Sequence, residues 1–332
     1  MKRSMLLAVM ALFAAMLLCS CELVYDSMYG GPSFKRVNIL VYGNDYAESR
    51  WHGNAINPLY GTVNDATQVG LAFEALAEKS GLECNAHYIL GRNSSRKGEG
   101  FRYDIPNAIE SPDTDTSMAH FKDVIAQIAA SSTKEDLTVI FVSCHGWYDA
   151  GLGTKAEYGK AKATYFATSS NTGDECILYP HDDFLEDVSA IAGVKLILAD
   201  VCYSGGLVKP GYVSVVDDEY LHADASTVFL EGERIDIDPS LYCLSASRYY
   251  EESFEYVTVA SDPDSRTHGY FTVALLEALG WDGLRFTGDA KASRNGMLTF
   301  QGLSSYVVKN DGKFEQNPMS SDGSMDIVLF SL

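Results

Sequence analysis

Apolar residues in this chain fall into two recurring patterns. Short runs such as Val139-Ile140-Phe141-Val142 and Leu196-Ile197-Leu198 carry no polar alternation, so the strands they form are covered on both faces. Longer stretches between them repeat at helical spacing: Val69, Ala72, Phe73, Leu76 and Ala77 fall on one face of a helix. The runs predict strands over 37–42, 85–90, 137–143, 194–200 and 241–245. The amphipathic stretches predict helices over 65–79, 118–130, 183–191, 269–279 and 301–309. Strands alternating with helices imply an α/β protein: an open, mostly parallel sheet with helices on both faces, in three layers.

Two stretches break the alternation, 147–180 and 207–239, and each exceeds an ordinary connection. Both follow a strand end directly, and ligands of open α/β sheets bind beyond the carboxyl ends of the strands. There is no internal repeat and no low-complexity tract.

The first residues follow a different pattern. Lys2 and Arg3 precede an uncharged apolar run over 5–19, too short to span a bilayer comfortably and laid out as a secretory signal. Its end, Leu18-Cys19-Ser20-Cys21, resembles a bacterial lipobox, which would make Cys21 the acylated first residue; an ordinary cleaved signal is the alternative. The expected organisation is a signal peptide over 1–20, a lipidated tether over 21–36 containing Gly30-Gly31-Pro32, and one domain over 37–332. The product would be an exported bacterial lipoprotein of the cell envelope, periplasmic or surface-exposed, held to the membrane by its lipid.

Composition narrows the partners. The formal net charge of -20 over 332 residues disfavours nucleic acid and anionic membrane surfaces, both of which need a basic face, and favours a cationic substrate. With Cys19 removed and Cys21 lipidated, Cys84, Cys144, Cys176, Cys202 and Cys243 remain. An odd number leaves at least one thiol unpaired even in an oxidising compartment, which makes a reactive cysteine a candidate.

The chemistry is concentrated at two strand ends. One runs into Ser143-Cys144-His145-Gly146, the other into Asp200-Val201-Cys202-Tyr203-Ser204-Gly205-Gly206. On adjacent strands about 4.8 Å apart, the imidazole and the thiol come within reach of each other. A thiol with its ordinary pKa of about 8.5 is mostly protonated at neutral pH, so a neighbouring imidazole is needed to draw off its proton and return it to the leaving amine. The flanking glycines leave room for substrate backbone and free N–H groups for a developing oxyanion.

The order strand, His-Gly, strand, Asp-x-Cys-x-Ser-Gly resembles the caspase-like cysteine peptidases, most of all the metacaspase type. Gly61-Thr62-Val63-Asn64-Asp65-Ala66, Leu244-Ser245-Ala246 and Gly269-Tyr270-Phe271-Thr272 extend the likeness over roughly 37–279. The resemblance implies a caspase-like fold, with a large part over about 37–206, a linker over about 207–239 and a small part over about 240–332. It makes Cys202 the nucleophile and His145 the acid/base, with the N–H groups of Gly146 and Cys202 as oxyanion hole. Ser143 and Asp200 would line a pocket for a substrate arginine or lysine, and a carboxylate there suits a cation on physical grounds. The implied protein is a monomeric endopeptidase acting on polypeptides, with no cofactor and no metal required. Self-processing at Lys209 or Arg234 is part of the expectation. Calcium activation is the minor alternative to that expectation, for which Asp182-Asp183 or Asp217-Asp218-Glu219 offer oxygen ligands without forming an EF-hand.

The chain departs from the family pattern at Cys144, which replaces a glycine, and at Tyr203, which replaces a histidine. Cys144 should point away from His145 in an extended strand, and Tyr203 should alter the pocket mouth. Arg248 as a basic pocket floor would instead favour aspartate. A catalytically silent binding module of the same fold is the rival from another class. No Gly-x-Ser-x-Gly elbow is present, Gly151-Leu152-Gly153 makes a poor dinucleotide fingerprint, and no His and Cys spacing suggests zinc.

Overall fold

The computed structural model describes residues 34–46, 49–91, 109, 112–148, 164–170, 175–208, 240–248, 251–256, 267–311, 316–321 and 326–332. The signal segment with Cys21, nearly all of the tether, Gly151 to Gly153 and the 209–239 linker with Lys209, Asp217, Asp218, Glu219 and Arg234 lie outside the described residues.

All five expected strands form, within two residues of their predicted ends: β1 Arg36–Asn44, β2 Glu83–Gly91, β3 Asp136–Cys144, β4 Val194–Val201 and β5 Leu241–Ser245. A sixth, β6 Met319–Ser320, joins at one edge. The order across the sheet is β6-β5-β4-β3-β1-β2, parallel throughout except for β6, which runs antiparallel to β5. Strands β1, β3 and β4 are buried almost end to end, as their unbroken apolar runs require.

Five helices cover the two faces: α1 Thr62–Lys79, α2 Met118–Ser131, α3 His181–Ser189, α4 Tyr270–Leu279 and α5 Phe300–Asn310. On one side Ile39, Val41, Phe141 and Leu198 pack against Val69 and Phe73 of α1, Phe271 and Leu275 of α4 and Leu303 of α5. On the other, Tyr42, Ile140, Val142 and Ile197 meet Phe121 and Ile125 of α2 and Phe184 and Val188 of α3. Successive residues of a strand face opposite ways, so each strand serves both cores. This is the expected three-layer α/β architecture.

The differences are local. Helix α1 begins three residues before Asp65, and α3 begins at His181, directly after Pro180, which closes the preceding strand and stands at the helix N-cap. The described parts of the 147–180 stretch are not a plain loop. Strands Gly146–Tyr148, Thr164–Ser169 and Cys176–Pro180 form an antiparallel ribbon, pairing Gly146 with Phe166. Strands Met297–Thr299 and Val328–Ser331 also pair, and the second carries Phe330 into the α1 core. Short paired strands of this kind have too few residues to show a period.

A candidate active site at the carboxyl edge of the sheet

The two motif-bearing strands are neighbours. β3 and β4 pair in parallel with Ser143 opposite Asp200 and Cys144 opposite Val201, so His145 and Cys202 leave adjacent strand ends at the same level. Both line one cleft, together with Asp65, Ser143, Asp200, Ser253, Glu255 and Gly269.

Gly146 explains how the two ends come so close. A β-carbon built on it would fall on the carbonyl oxygen of Cys202, so only glycine allows that approach. After the cysteine the chain turns abruptly: Tyr203 has φ 62°, in the left-handed region that non-glycine residues seldom occupy, and Ser204–Leu207 continues as a 3₁₀ turn. Tyr203 does not enter the pocket mouth. Its ring lies 4.6 Å from that of Tyr148 and its hydroxyl donates to Glu252 at 3.3 Å.

His145 is held from three sides. Its Nε2 lies 2.7 Å from the carbonyl oxygen of Asn57. A carbonyl can only accept, so Nε2 carries the hydrogen and Nδ1 keeps the lone pair. Its main-chain N–H donates to the Tyr46 hydroxyl at 3.2 Å, and the two rings sit 4.7 Å apart. Burial pushes the imidazole pKa below its ordinary value, so the ring is a neutral base at pH 7.

The thiol of Cys202 is engaged by Ser253. Its sulfur accepts the Ser253 N–H at 3.3 Å and the Ser253 hydroxyl at 3.8 Å, and lies 3.6 Å from the Ser253 carbonyl. Burial raises the thiol pKa, with the Ser253 bonds working in the opposite direction. No hydrogen bond joins the thiol to the imidazole among the described residues. The expected pair therefore shares a cleft but is not directly bonded, because the Ser253 amide holds the sulfur and the Asn57 carbonyl holds Nε2. Catalytic hydrogen bonds commonly tighten only once substrate is bound.

The cleft floor is acidic. Asp200 is 5% exposed, and its Oδ2 accepts both the N–H of Thr272 at 3.1 Å and the Thr272 hydroxyl at 2.7 Å. Burial, then repulsion from Asp65, pushes its carboxyl pKa well up. Ser143 lines the same cleft, and its hydroxyl donates to Asp65 at 3.0 Å. Asp65 also receives the Gly269 N–H at 3.2 Å and faces His268 Nδ1 at 2.7 Å. Among the described residues, no lysine or arginine lines the cleft. Arg248 is not among its walls; it bonds Glu251 at 3.3 Å.

Other expected positions resolve simply. Cys144 is buried in the α2/α3 core and is also among the residues lining the cleft. All five cysteines among the described residues are unpaired. Asp182 and Asp183 sit in the first turn of α3, where negative charge suits the helix end. Among the described residues, no group of three His, Cys, Asp or Glu side chains is placed to hold a metal ion.

Sequence reasoning missed Asn57, Ser253, Glu255, His268 and Thr272 as site residues, and named Asp65 only as a helix landmark. Asn57 acts through a carbonyl that every residue type has. The 251–256 segment has no periodicity, and only its two glutamates beside a serine hinted at polar work.

The strand order, with His145 and Cys202 at the tips of β3 and β4, gives the chain a caspase-like α/β fold. Among solved structures, the chain is similar to a protein from Geobacter sulfurreducens at 15% identity and a TM-score of 0.47, covering 88% of this chain and 93% of that one. It is also similar to caspase-1 from Spodoptera frugiperda at 11% identity and a TM-score of 0.46, covering 93% and 95%. No protein-family model and no curated protein matches the sequence.

Proposed function

We propose that the protein is a cysteine endopeptidase that cleaves after arginine or lysine. Cys202 passes its proton to Nδ1 of His145, and the thiolate adds to the scissile carbonyl carbon. The oxyanion takes hydrogen bonds from the N–H groups of Gly146 and Cys202. His145 then returns the proton to the departing amine as the C–N bond breaks, leaving a thioester on Cys202. Water, losing its proton to His145, hydrolyses the thioester and restores the thiol.

The observation that carries the specificity is Asp200. It is a buried carboxylate at the cleft floor, two residues from the nucleophile, with only neutral donors and no cation beside it among the described residues. A guanidinium or ammonium relieves that arrangement, whereas a carboxylate side chain would be repelled. The rival preference for aspartate loses its basic floor because Arg248 is engaged with Glu251.

The silent binding module has one observation in its favour, the absence of a thiol–imidazole bond. Hydrolysis of peptides differing only in arginine, lysine or aspartate at the cleaved position separates the readings. Cleavage after the two basic residues, abolished in Cys202→Ala, supports a peptidase; cleavage after aspartate alone removes the pocket assignment, and no cleavage favours the module. Self-processing at Lys209 or Arg234 belongs to the same proposal and requires two fragments on a denaturing gel. Lipidation at Cys21 belongs to it as well and requires incorporation of labelled fatty acid.

A further inference from the structure

We propose that Glu255 is, with Asp200, the acceptor that the substrate's cationic side chain meets, and that it sets the selectivity for charged over neutral side chains. This rests on the peptidase reading of the cleft.

Two carboxylates meet at Gly269, and a third acidic residue is its strand neighbour. The Gly269 N–H is bonded to Asp65, a β-carbon on it would fall on the carboxylate of Asp200, and the main chain of Glu255 pairs with it across a short antiparallel ladder. Their remaining capacity differs. Asp65 already takes the Ser143 hydroxyl, the Gly269 N–H and the His268 imidazole. Asp200 takes both Thr272 donors on Oδ2, and its Oδ1 receives no hydrogen bond among the described residues.

Glu255 has acceptor sites left over. Its Oε1 accepts the Gly61 N–H at 2.7 Å and its Oε2 the Tyr60 N–H at 3.1 Å, at the start of α1. A carboxylate has about four lone-pair sites, so roughly half stay open. The helix start favours the ionised form. A β-carbon at Gly61 would lie 3.1 Å from Oε1, a tight contact that the glycine avoids. Asp200 and Glu255 thus offer open acceptors on two walls of one cleft, a match for the planar fork of a guanidinium.

A plain helix cap would lower all turnover alike, whereas a specificity residue discriminates between substrates. The test compares peptides identical except for arginine or its uncharged isostere citrulline at the cleaved residue. Glu255→Gln is expected to cut the arginine-to-citrulline ratio of kcat/KM about tenfold or more, through KM. Glu255→Asp, which keeps the charge, is expected to stay within about threefold of wild type. An unchanged ratio in Glu255→Gln, or an equal loss on both peptides, overturns the proposal. If the glutamine variant does not fold, Glu255→Ala repeats the comparison. If wild type turns over neither peptide, the peptidase reading falls. Calorimetry of the arginine peptide on Cys202→Ala then decides Glu255 separately: binding lost on adding Glu255→Gln supports it, and binding that is unaffected or absent overturns it.

Discussion

The Cα of Gly146 lies against the carbonyl oxygen of Cys202 so closely that no side chain fits between them. This contact brings two strand tips together, and in the proposed mechanism the N–H groups of Gly146 and Cys202 receive the oxyanion. Gly146→Ala must push the tips apart. We expect kcat to fall by about 10² or more, as when an oxyanion donor is lost, while Cys202 remains open to alkylation by iodoacetamide. Activity within about threefold of wild type would remove Gly146 from the mechanism.

Burial depresses the His145 pKa below 6.5 and raises that of Cys202 above 9.0. The resting pair is then neutral thiol and neutral imidazole. Below its limb the imidazole is protonated and takes no proton; above the upper limb the thiol has lost the proton that the leaving amine needs. The kcat of an arginine peptide, measured from pH 5 to 10, should form a plateau with an acid limb under 6.5 and an alkaline limb over 9.0. A single sharp optimum near pH 6 would contradict the neutral pair.

In the proposed reading, Asp200 couples specificity to stability. Its folded pKa is raised, so the folded state favours its protonated form, and the stability present below the unfolded value of about 3.9 is lost as pH rises through the folded pKa. Asp200→Asn removes that cost and keeps an oxygen for both Thr272 donors. At pH 8 its Tm should exceed that of wild type by about 2–4 °C, with the difference shrinking at pH 4. The same variant should lose about 10² or more in kcat/KM on an arginine peptide. A lower Tm at pH 8 would make Asp200 a structural acid.

Binding should carry its own pH dependence. Glu255 has its pKa pushed up to about 7 by burial, with Asp65 adding repulsion, and the Gly61 and Tyr60 N–H groups and His268 opposing it. Asp200 and Asp65 face the same cleft. As pH falls through about 7, Glu255 takes up a proton and the cleft loses negative charge. KM for an arginine peptide should therefore rise between pH 8 and 6, while KM for the citrulline peptide stays flat. Parallel changes for both peptides would exclude a charge effect.

Much of this was legible in the sequence, for identifiable reasons. Val139 to Val142 and Leu196 to Leu198 are apolar on both faces because both faces are covered, and that property alone fixes them as central strands. The motifs at the two strand tips then placed His145 and Cys202 in one cleft once β3 and β4 proved adjacent. What stayed hidden works through main chain or distant pairing. Asn57 contributes a carbonyl, Ser253 an amide, and Glu255 reaches Gly61 across 194 positions of sequence. Ser143 also bonds Asp65, a pairing across 78 positions that no local pattern shows.

The most direct measurement is covalent labelling. An arginyl peptide carrying a thiol-reactive electrophile in place of the scissile bond is incubated at limiting concentration, and the modified residue is located by peptide mass spectrometry. The expected result is a single adduct on partly buried Cys202, prevented in His145→Ala and suppressed by excess arginine peptide. Labelling of the exposed Cys84 in preference to Cys202, or labelling of Cys202 that His145→Ala leaves unchanged, would contradict the pairing of thiol and imidazole beside an acidic pocket.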